Sequence, residues 1–250
     1  MSVQSVERTF AIIEFLCAKS KPQQLAVISK ACGLAPATTH RLLETICGMG
    51  YAKCEIGGFY SLTPKLFSIT SNILTENTLI AIAKPHLEEL SSLVNESVHL
   101  VLRDGCDVVY VYKVVKAIGS IQMASHIGMR VPMYRTAVGK AILSTMPEQE
   151  VRHIFRESNI RPVTEKTITT IDELLRRLEI ARGLGYSMDN EENEIGITCI
   201  AMPLSKPKET ARYAFSISSL TSRMSPERVD QLAEEIKRTQ AHILSELVSI

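Results

Sequence analysis

Two short helical patterns meet across Gly33-Leu34-Ala35-Pro36, and no other stretch constrains the fold as tightly. Leu25, Ile28 and Ala31–Cys32 form one apolar face, and Leu42, Leu43 and Ile46 form the next. Gly33 stands where a helix C-terminus takes a left-handed residue, and Pro36 where the following helix begins. Upstream, Val6, Phe10, Ile13 and Leu16–Cys17 recur at helical spacing, which predicts a first helix over about residues 3 to 19. Lys21-Pro22-Gln23 breaks it. Downstream, Gly48 and Gly50 end the third helix, and two strand-like runs flank Gly57-Gly58 as a hairpin would require. Helix, tight turn, helix, hairpin is the order of a winged helix-turn-helix.

The third helix turns Ala37, Thr38, Thr39, His40, Arg41, Glu44 and Thr45 away from its apolar face. Small and hydroxyl side chains after Pro36 allow close approach to a major groove, and Arg41 can pair with a phosphate or a guanine. The free N–H groups of the first turn can meet a phosphate. Arg8 on the first helix and Lys53 on the hairpin complete the expected DNA-binding set of Pro36, Ala37, Thr38, Thr39, His40, Arg41, Lys53 and Arg8. Residues 1–75 hold seven Lys/Arg against four Asp/Glu, a net of +3, whereas the rest of the chain sums to −2. The whole carries only +1, so a chain coated with basic charge is excluded and a local basic head is not. The same pattern also suits a three-helix structural cap with a solvated third helix, or a head that binds protein.

Beyond the hairpin, Thr63-Pro64 is a good helix start. Leu66, Ile69, Ile73, Leu74 and Ile80 follow as a stripe that needs a partner, either an intrachain core or a neighbour's copy. From about residue 84 the chain alternates helices with strands. Strands are expected over 98–102, 108–115, 120–124, 197–204 and 212–220, and helices around 87–94, 137–146, 148–155, 171–184 and from Pro226 on. This describes an α+β domain with one sheet. The composition, 45% hydrophobic and 22% charged over 250 residues, is that of a globular chain of one to two domains. No apolar run reaches the roughly 18 residues that would span a bilayer. Six cysteines with no Cys-x-x-Cys pair, and no export signal, read as reduced thiols in a cytoplasm.

Enzyme chemistry finds little support. The six histidines have no i,i+4 partner, so no metal site and no cofactor is implied. Gly139-Lys140 resembles the end of a phosphate loop, but Ala141 replaces the required hydroxyl residue and the glycine spacing fails. The acids of Asp189-Asn-Glu-Glu-Asn-Glu194 could do acid–base work or hold a cation, yet they lack the Asp-x-Asp-x-Asp-Gly pattern. They read as a loop that orients a pocket, with some acids merely solvated. Cys199 has no base identifiable in sequence.

Taken together, the chain resembles the IclR family of bacterial transcriptional regulators over nearly its whole length. The resemblance rests on Ser5-Val-Glu-Arg-Thr9, Gly33 through Leu43, Gly50-Tyr51 and Tyr60 through Phe67 in the head. In the body it rests on Gly128 through Tyr134, Thr136-Ala-Val-Gly-Lys-Ala141, Gly185-Tyr186, Asp189 through Ala201 and Ser216-Ile-Ser218. It implies a DNA-binding domain over 1–63, a linker helix over 64–83 and a GAF-like effector domain over 84–250. It further implies a homodimer or homotetramer that binds double-stranded operator DNA, represses or activates a catabolic operon, and responds to a small carboxylate. The family's effector site maps onto Met123, Thr136, Ala137, Asp189, Cys199, Ser216 and Ser218. Ser216 and Ser218 alternate on one strand and so face one side, and the helix starting near Thr136 offers N–H groups to an anion. Many relatives have Ser where this chain has Ala35, so a helix cap of about 1 kcal/mol is missing. Glu96-Ser-Val-His-Leu100, Tyr110-Val-Tyr-Lys113 and Glu165-Lys-Thr-Ile-Thr169 are similar to the subgroup that senses 2-keto-3-deoxygluconate and related sugar acids, which points to a repressor of sugar-acid catabolism.

Overall fold

In the computed structural model, which describes residues 3–69, 78–116 and 125–248, residues 1–77 and 78–250 form separate units. The first contains α1 (Gln4–Cys17), β1 (Gln23–Gln24), α2 (Leu25–Cys32), α3 (Pro36–Gly48), β2 (Ala52–Glu55) and β3 (Phe59–Leu62). Gly33 closes α2 at φ 63°, a left-handed position that a Cβ disfavours. Pro36 is the first residue of α3, and Ala35 before it supplies no side-chain cap. Ile12, Leu16, Ile28, Leu43, Ile46 and Tyr60 fill the core between the helices and the hairpin.

The inward stripe of α1 differs from the expected one. Ile12 and Leu16 are buried, whereas Val6 and Phe10 are exposed, Phe10 at 58%. Helical spacing alone does not say which of two overlapping apolar stripes meets the core. The hairpin is in register from Ala52↔Leu62 to Glu55↔Phe59, and β1, too short to announce itself, adds a third strand on β3. Residues 65–69 are helical. Of the expected linker stripe, Leu66 and Ile69 belong here, and Ile73 and Leu74 lie outside the described residues.

The second unit starts with α4 (Thr78–Val94), which continues through Pro85, so the join expected between residues 83 and 84 falls inside one helix. Then follow β4 (Ser97–Asp104), β5 (Asp107–Val114), β6 (Arg130–Pro132), a 3₁₀ turn (Met133–Arg135), α5 (Ala137–Leu143), α6 (Glu148–Glu157), α7 (Ile171–Leu184), β7 (Ser187–Asn190), β8 (Ile197–Leu204), β9 (Tyr213–Leu220) and α8 (Pro226–Val248). The strand expected over 120–124 lies outside the described residues.

The six strands form one antiparallel sheet in the order β6-β5-β4-β9-β8-β7. Alternation sorts its side chains. Val98, Leu100, Ile200, Met202, Phe215 and Ile217 pack with Leu87, Leu90, Leu232 and Ile236 of α4 and α8. Ala201 and Ala214 point the other way and pack with α5 and α7. Ser216, Ser218 and Cys199 share that second face, and a polar stripe on a covered face must find partners. The architecture is thus a winged helix-turn-helix followed by a GAF-like α+β domain. Among the described residues no helix is long and apolar enough to cross a membrane, and all six cysteines are free thiols.

Candidate functional site

On the first unit, Pro36, Ala37, His40 and Arg41 are exposed along α3, and Thr38 is half-buried. Arg8, Thr38 and Arg41 line one cleft of about 300 Å³, together with Gln4 and Thr45. Thr39 does not join them. It is fully buried, and its hydroxyl donates to the Ala35 carbonyl at 3.2 Å, so it faces the core and not solvent as expected. It is one of the three buried residues of the helix, with Leu43 and Ile46. His40 approaches Glu44 at 3.6 Å. Lys53 sits on β2 but is paired with Glu55 at 2.9 Å, and Ser61 also donates to that carboxylate. Its charge is therefore less available than a lone cation's.

On the second unit, Thr136, Ala137, Asp189, Cys199, Ser216 and Ser218 line one cavity of about 290 Å³. Met123 lies outside the described residues. Ser218 faces Cys199 across the β8–β9 ladder, with Sγ to Oγ at 3.0 Å, and its Oγ is 3.2 Å from His99 Nδ1. The other ring nitrogen of His99 meets Ser125 Oγ at 3.0 Å, and Lys113 Nζ donates to that same hydroxyl at 2.8 Å. Tyr110 closes edge-on against the His99 ring.

Burial governs the charges here. It pushes His99 down to about 3, with Lys113 adding to the effect, so the imidazole is neutral near pH 7. Burial also raises the Cys199 thiol, with the Asp189 carboxylate adding to it. Asp189 is 4% exposed and is pushed up to about 7, again chiefly by burial, against the pull of Lys140 and two backbone N–H bonds. Those bonds come from Glu192 at 2.7 Å and Asn193 at 3.4 Å.

The acidic segment is more tightly built than its composition suggests. Asp189 belongs to β7 rather than to a loop. Glu192 is buried in an ion pair with Lys140, itself 1% exposed, and its carbonyl accepts from Thr167 at 2.7 Å. Lys166 pairs with Glu191. The Gly139-Lys140 pair is explained on the same terms. Lys140 holds the segment, and Gly139 allows α5 to press on the preceding turn: an added Cβ would stand 2.6 Å from the Met133 carbonyl carbon. Thr136 spends its hydroxyl as the cap of α5, accepting from Gly139 N at 3.1 Å. The cap thus occupies one of the first-turn N–H groups that the sequence offered to an anion.

Arg135, His99 and Glu194 also line the cavity; in sequence, Glu194 stands out only within the acidic segment and His99 only within Glu96–Leu100, and Arg135 is not singled out. Arg135 has a buried Nε without a hydrogen-bond partner and makes no ion pair among the described residues. The only warning in sequence was its position beside Thr136. The cavity can hold a small polar molecule between a cationic corner at Arg135 and an acidic side at Asp189 and Glu194. The Ser218–His99 contact has the spacing of a nucleophile and base. However, the imidazole is oriented by Ser125, not by a carboxylate, and burial keeps it from taking a proton. Among the described residues no three His, Cys, Asp or Glu side chains gather as metal ligands.

Comparison with known proteins gives the family. Residues 5–53 match the IclR helix-turn-helix domain, and residues 71–245 match the C-terminal region of the bacterial transcriptional regulator IclR. The chain belongs to the IclR family of bacterial transcriptional regulators. It is 35% identical over 231 residues to the HTH-type transcriptional regulator KdgR of Escherichia coli K12, covering 92% of this chain and 87% of that one. It is 32% identical over 247 residues to the DNA-binding transcriptional repressor YiaJ of the same organism, covering 98% and 88%. The crystal structure of the Thermotoga maritima IclR superposes with a TM-score of 0.80 at 30% identity, over 98% of each chain. The chain is a DNA-binding transcriptional regulator.

Proposed function

We propose that this regulator is a cytoplasmic repressor of a sugar-acid catabolic operon, and that a small hydroxylated carboxylate in the second unit's cavity controls it. One observation carries the reading. The six described residues that the family resemblance assigns to an effector line a single cavity whose sheet wall is polar and buried. A buried polar wall without a ligand is costly unless it hydrogen-bonds internally, as Ser218 does, or meets water or a guest. In the DNA-bound state α3 enters a major groove, Arg41 reaches a base or phosphate, and Arg8 and Thr38 line the approach. Lys53 contributes through the backbone only after releasing Glu55.

One head reads too few base pairs for genomic specificity. Val6, Phe10, Phe67 and Ile69 are exposed apolar residues of the first unit, and a second copy that covers them would pair two heads. The segment expected over 64–83 then links each head to its effector domain. DNase footprinting upstream of the chain's own gene tests the reading. A protected pair of half-sites about 34 Å apart, released by a sugar acid, is expected. Protection that no hydroxylated carboxylate alters would overturn effector control, and a monomeric mass by light scattering would overturn the paired heads.

A further inference from the structure

Arg135 is the cavity's unexplained group. It ends the 3₁₀ turn Met133–Arg135 directly before α5, on a rigid mount. Met133 is fully buried against Gly139, Tyr134 shares its hydroxyl with the Arg161 backbone at 2.9 and 3.1 Å, and Thr136 caps the next helix. The backbone at residue 135 therefore has little freedom, and the guanidinium is held at the cavity wall. Its Nε is shut away from solvent and bonds to nothing, and no carboxylate lies within ion-pair distance among the described residues. The fully buried charges in this region have partners, Lys140 in Glu192 and Asp189 in two N–H groups, whereas half-buried Arg135 has none among the described residues. The guanidinium lines the cavity and makes no hydrogen bond or ion pair to a described residue, so its terminal nitrogens, not the occluded Nε, are the donors that can meet a planar anion accepting two parallel bonds.

The rest of the wall sets what the other end of that anion must be. Asp189 and Glu194 line the same cavity. A second carboxylate placed there would meet the like charge of Glu194, and of Asp189 in its ionised form above about pH 7, in a site of low dielectric. Hydroxyl groups would instead donate to those acids and exchange bonds with Ser216 and Ser218. Lys113 is hydrogen-bonded to Ser125 and feels the Glu194 charge only secondarily to its own burial.

We propose that Arg135 is the anchor for the effector's carboxylate, and that the Asp189–Glu194 side makes the cavity selective for hydroxylated monocarboxylates over dicarboxylates. This rests on the effector reading given above and specifies how the same cavity discriminates. It also moves the anion from the end of α5, where the sequence pointed, to a side chain.

The test is calorimetric titration of the full-length protein, as wild type and as Arg135→Gln, Arg135→Lys and Ser218→Ala. The probes are lactate and gluconate as hydroxylated monocarboxylates, glucarate as the matching dicarboxylate, and glucitol as the uncharged analogue. At least one monocarboxylate should bind wild type, with glucarate at least about tenfold weaker and glucitol silent. Arg135→Gln should weaken that monocarboxylate by roughly a hundredfold, the loss of two charge-assisted bonds, and Arg135→Lys should restore part of it. The unliganded Arg135→Gln protein should melt no lower than wild type, because the substitution removes an unpaired, half-buried charge. A purely structural arginine would lower the melting temperature instead. Equal binding to wild type and Arg135→Gln, with a loss in Ser218→Ala, overturns the anchor and leaves the pocket reading standing. Glucarate binding as tightly as gluconate overturns the selectivity. Failure of every monocarboxylate at millimolar concentration overturns both the anchor and the pocket reading.

Discussion

Asp189→Asn should stabilise the protein, and only at neutral and alkaline pH. The carboxyl is nearly inaccessible, and burial lifts it from an ordinary 3.8 to about 7, with Glu192 pushing the same way and Lys140 opposing. The folded state therefore binds a proton more tightly than the unfolded state. Between about pH 3.8 and 7 the folded form holds more protons, so this group's contribution to stability falls as pH rises, and the whole penalty is present above about 7. Roughly three units at about 1.4 kcal/mol each set an upper limit of about 4 kcal/mol. The amide keeps an oxygen for the Glu192 N–H at 2.7 Å, but loses the attraction to Lys140 and brings an NH₂ that needs a partner. A net gain of about 2 kcal/mol at pH 8 is expected, or about 4–8 °C in Tm for a domain of this size. Melting curves of both proteins from pH 5 to 8.5, followed by circular dichroism, read the difference directly. The gain should shrink as pH falls. A gain that is constant across the range, or a loss at pH 8, would refute the argument that burial of the charged form is what costs stability here.

Other consequences follow from particular contacts. Gly139→Ala drives a methyl into the Met133 backbone and should cost about 3 kcal/mol in urea unfolding; an unchanged midpoint would contradict the close packing. Lys140→Met leaves Glu192 buried without a cation and should cost about 3–5 kcal/mol, whereas adding Glu192→Leu should recover most of it. If the double variant is no more stable than the single, the pair is not what holds this segment. Arg41→Ala should weaken operator binding by about 1–3 kcal/mol in an anisotropy titration without lowering Tm, while Thr39→Ala should do the reverse.

Much of this fold was legible because local chemistry and tertiary structure agree. Gly33 and Pro36 mark the turn between α2 and α3 through backbone conformations that few other residues favour. The alternation that places Ser216 and Ser218 on one face holds in β9, and the strand from 197 to 204 appears with its expected ends. The failures have a common origin in long-range contacts. Thr39 looks polar and exposed on a helical wheel, but its neighbours Leu43 and Ile46 extend the core to it. β1, β6 and β7 are two to four residues long and exist because a neighbouring strand offers its edge. Lys140 and Glu192 are 52 residues apart, so nothing local distinguishes them from solvated charges. Arg135 was invisible for the opposite reason: its significance lies in the partner it lacks, which only the surrounding structure can show.

The central claim is that occupancy of the second unit's cavity alters DNA binding by the first. Operator affinity should be measured by fluorescence anisotropy against increasing gluconate, for wild type and Ser218→Ala, at one salt concentration. Ser218 lies with His99 and Cys199 at the cavity wall, far in sequence from the residues proposed to meet DNA. The account predicts equal operator affinity for the two proteins without ligand. It predicts a ligand-dependent loss of operator binding in wild type. In Ser218→Ala the same loss should require roughly threefold to tenfold more gluconate, as removal of one hydrogen bond to a ligand hydroxyl implies. Identical ligand dependence in both proteins, or no dependence in either, would contradict it.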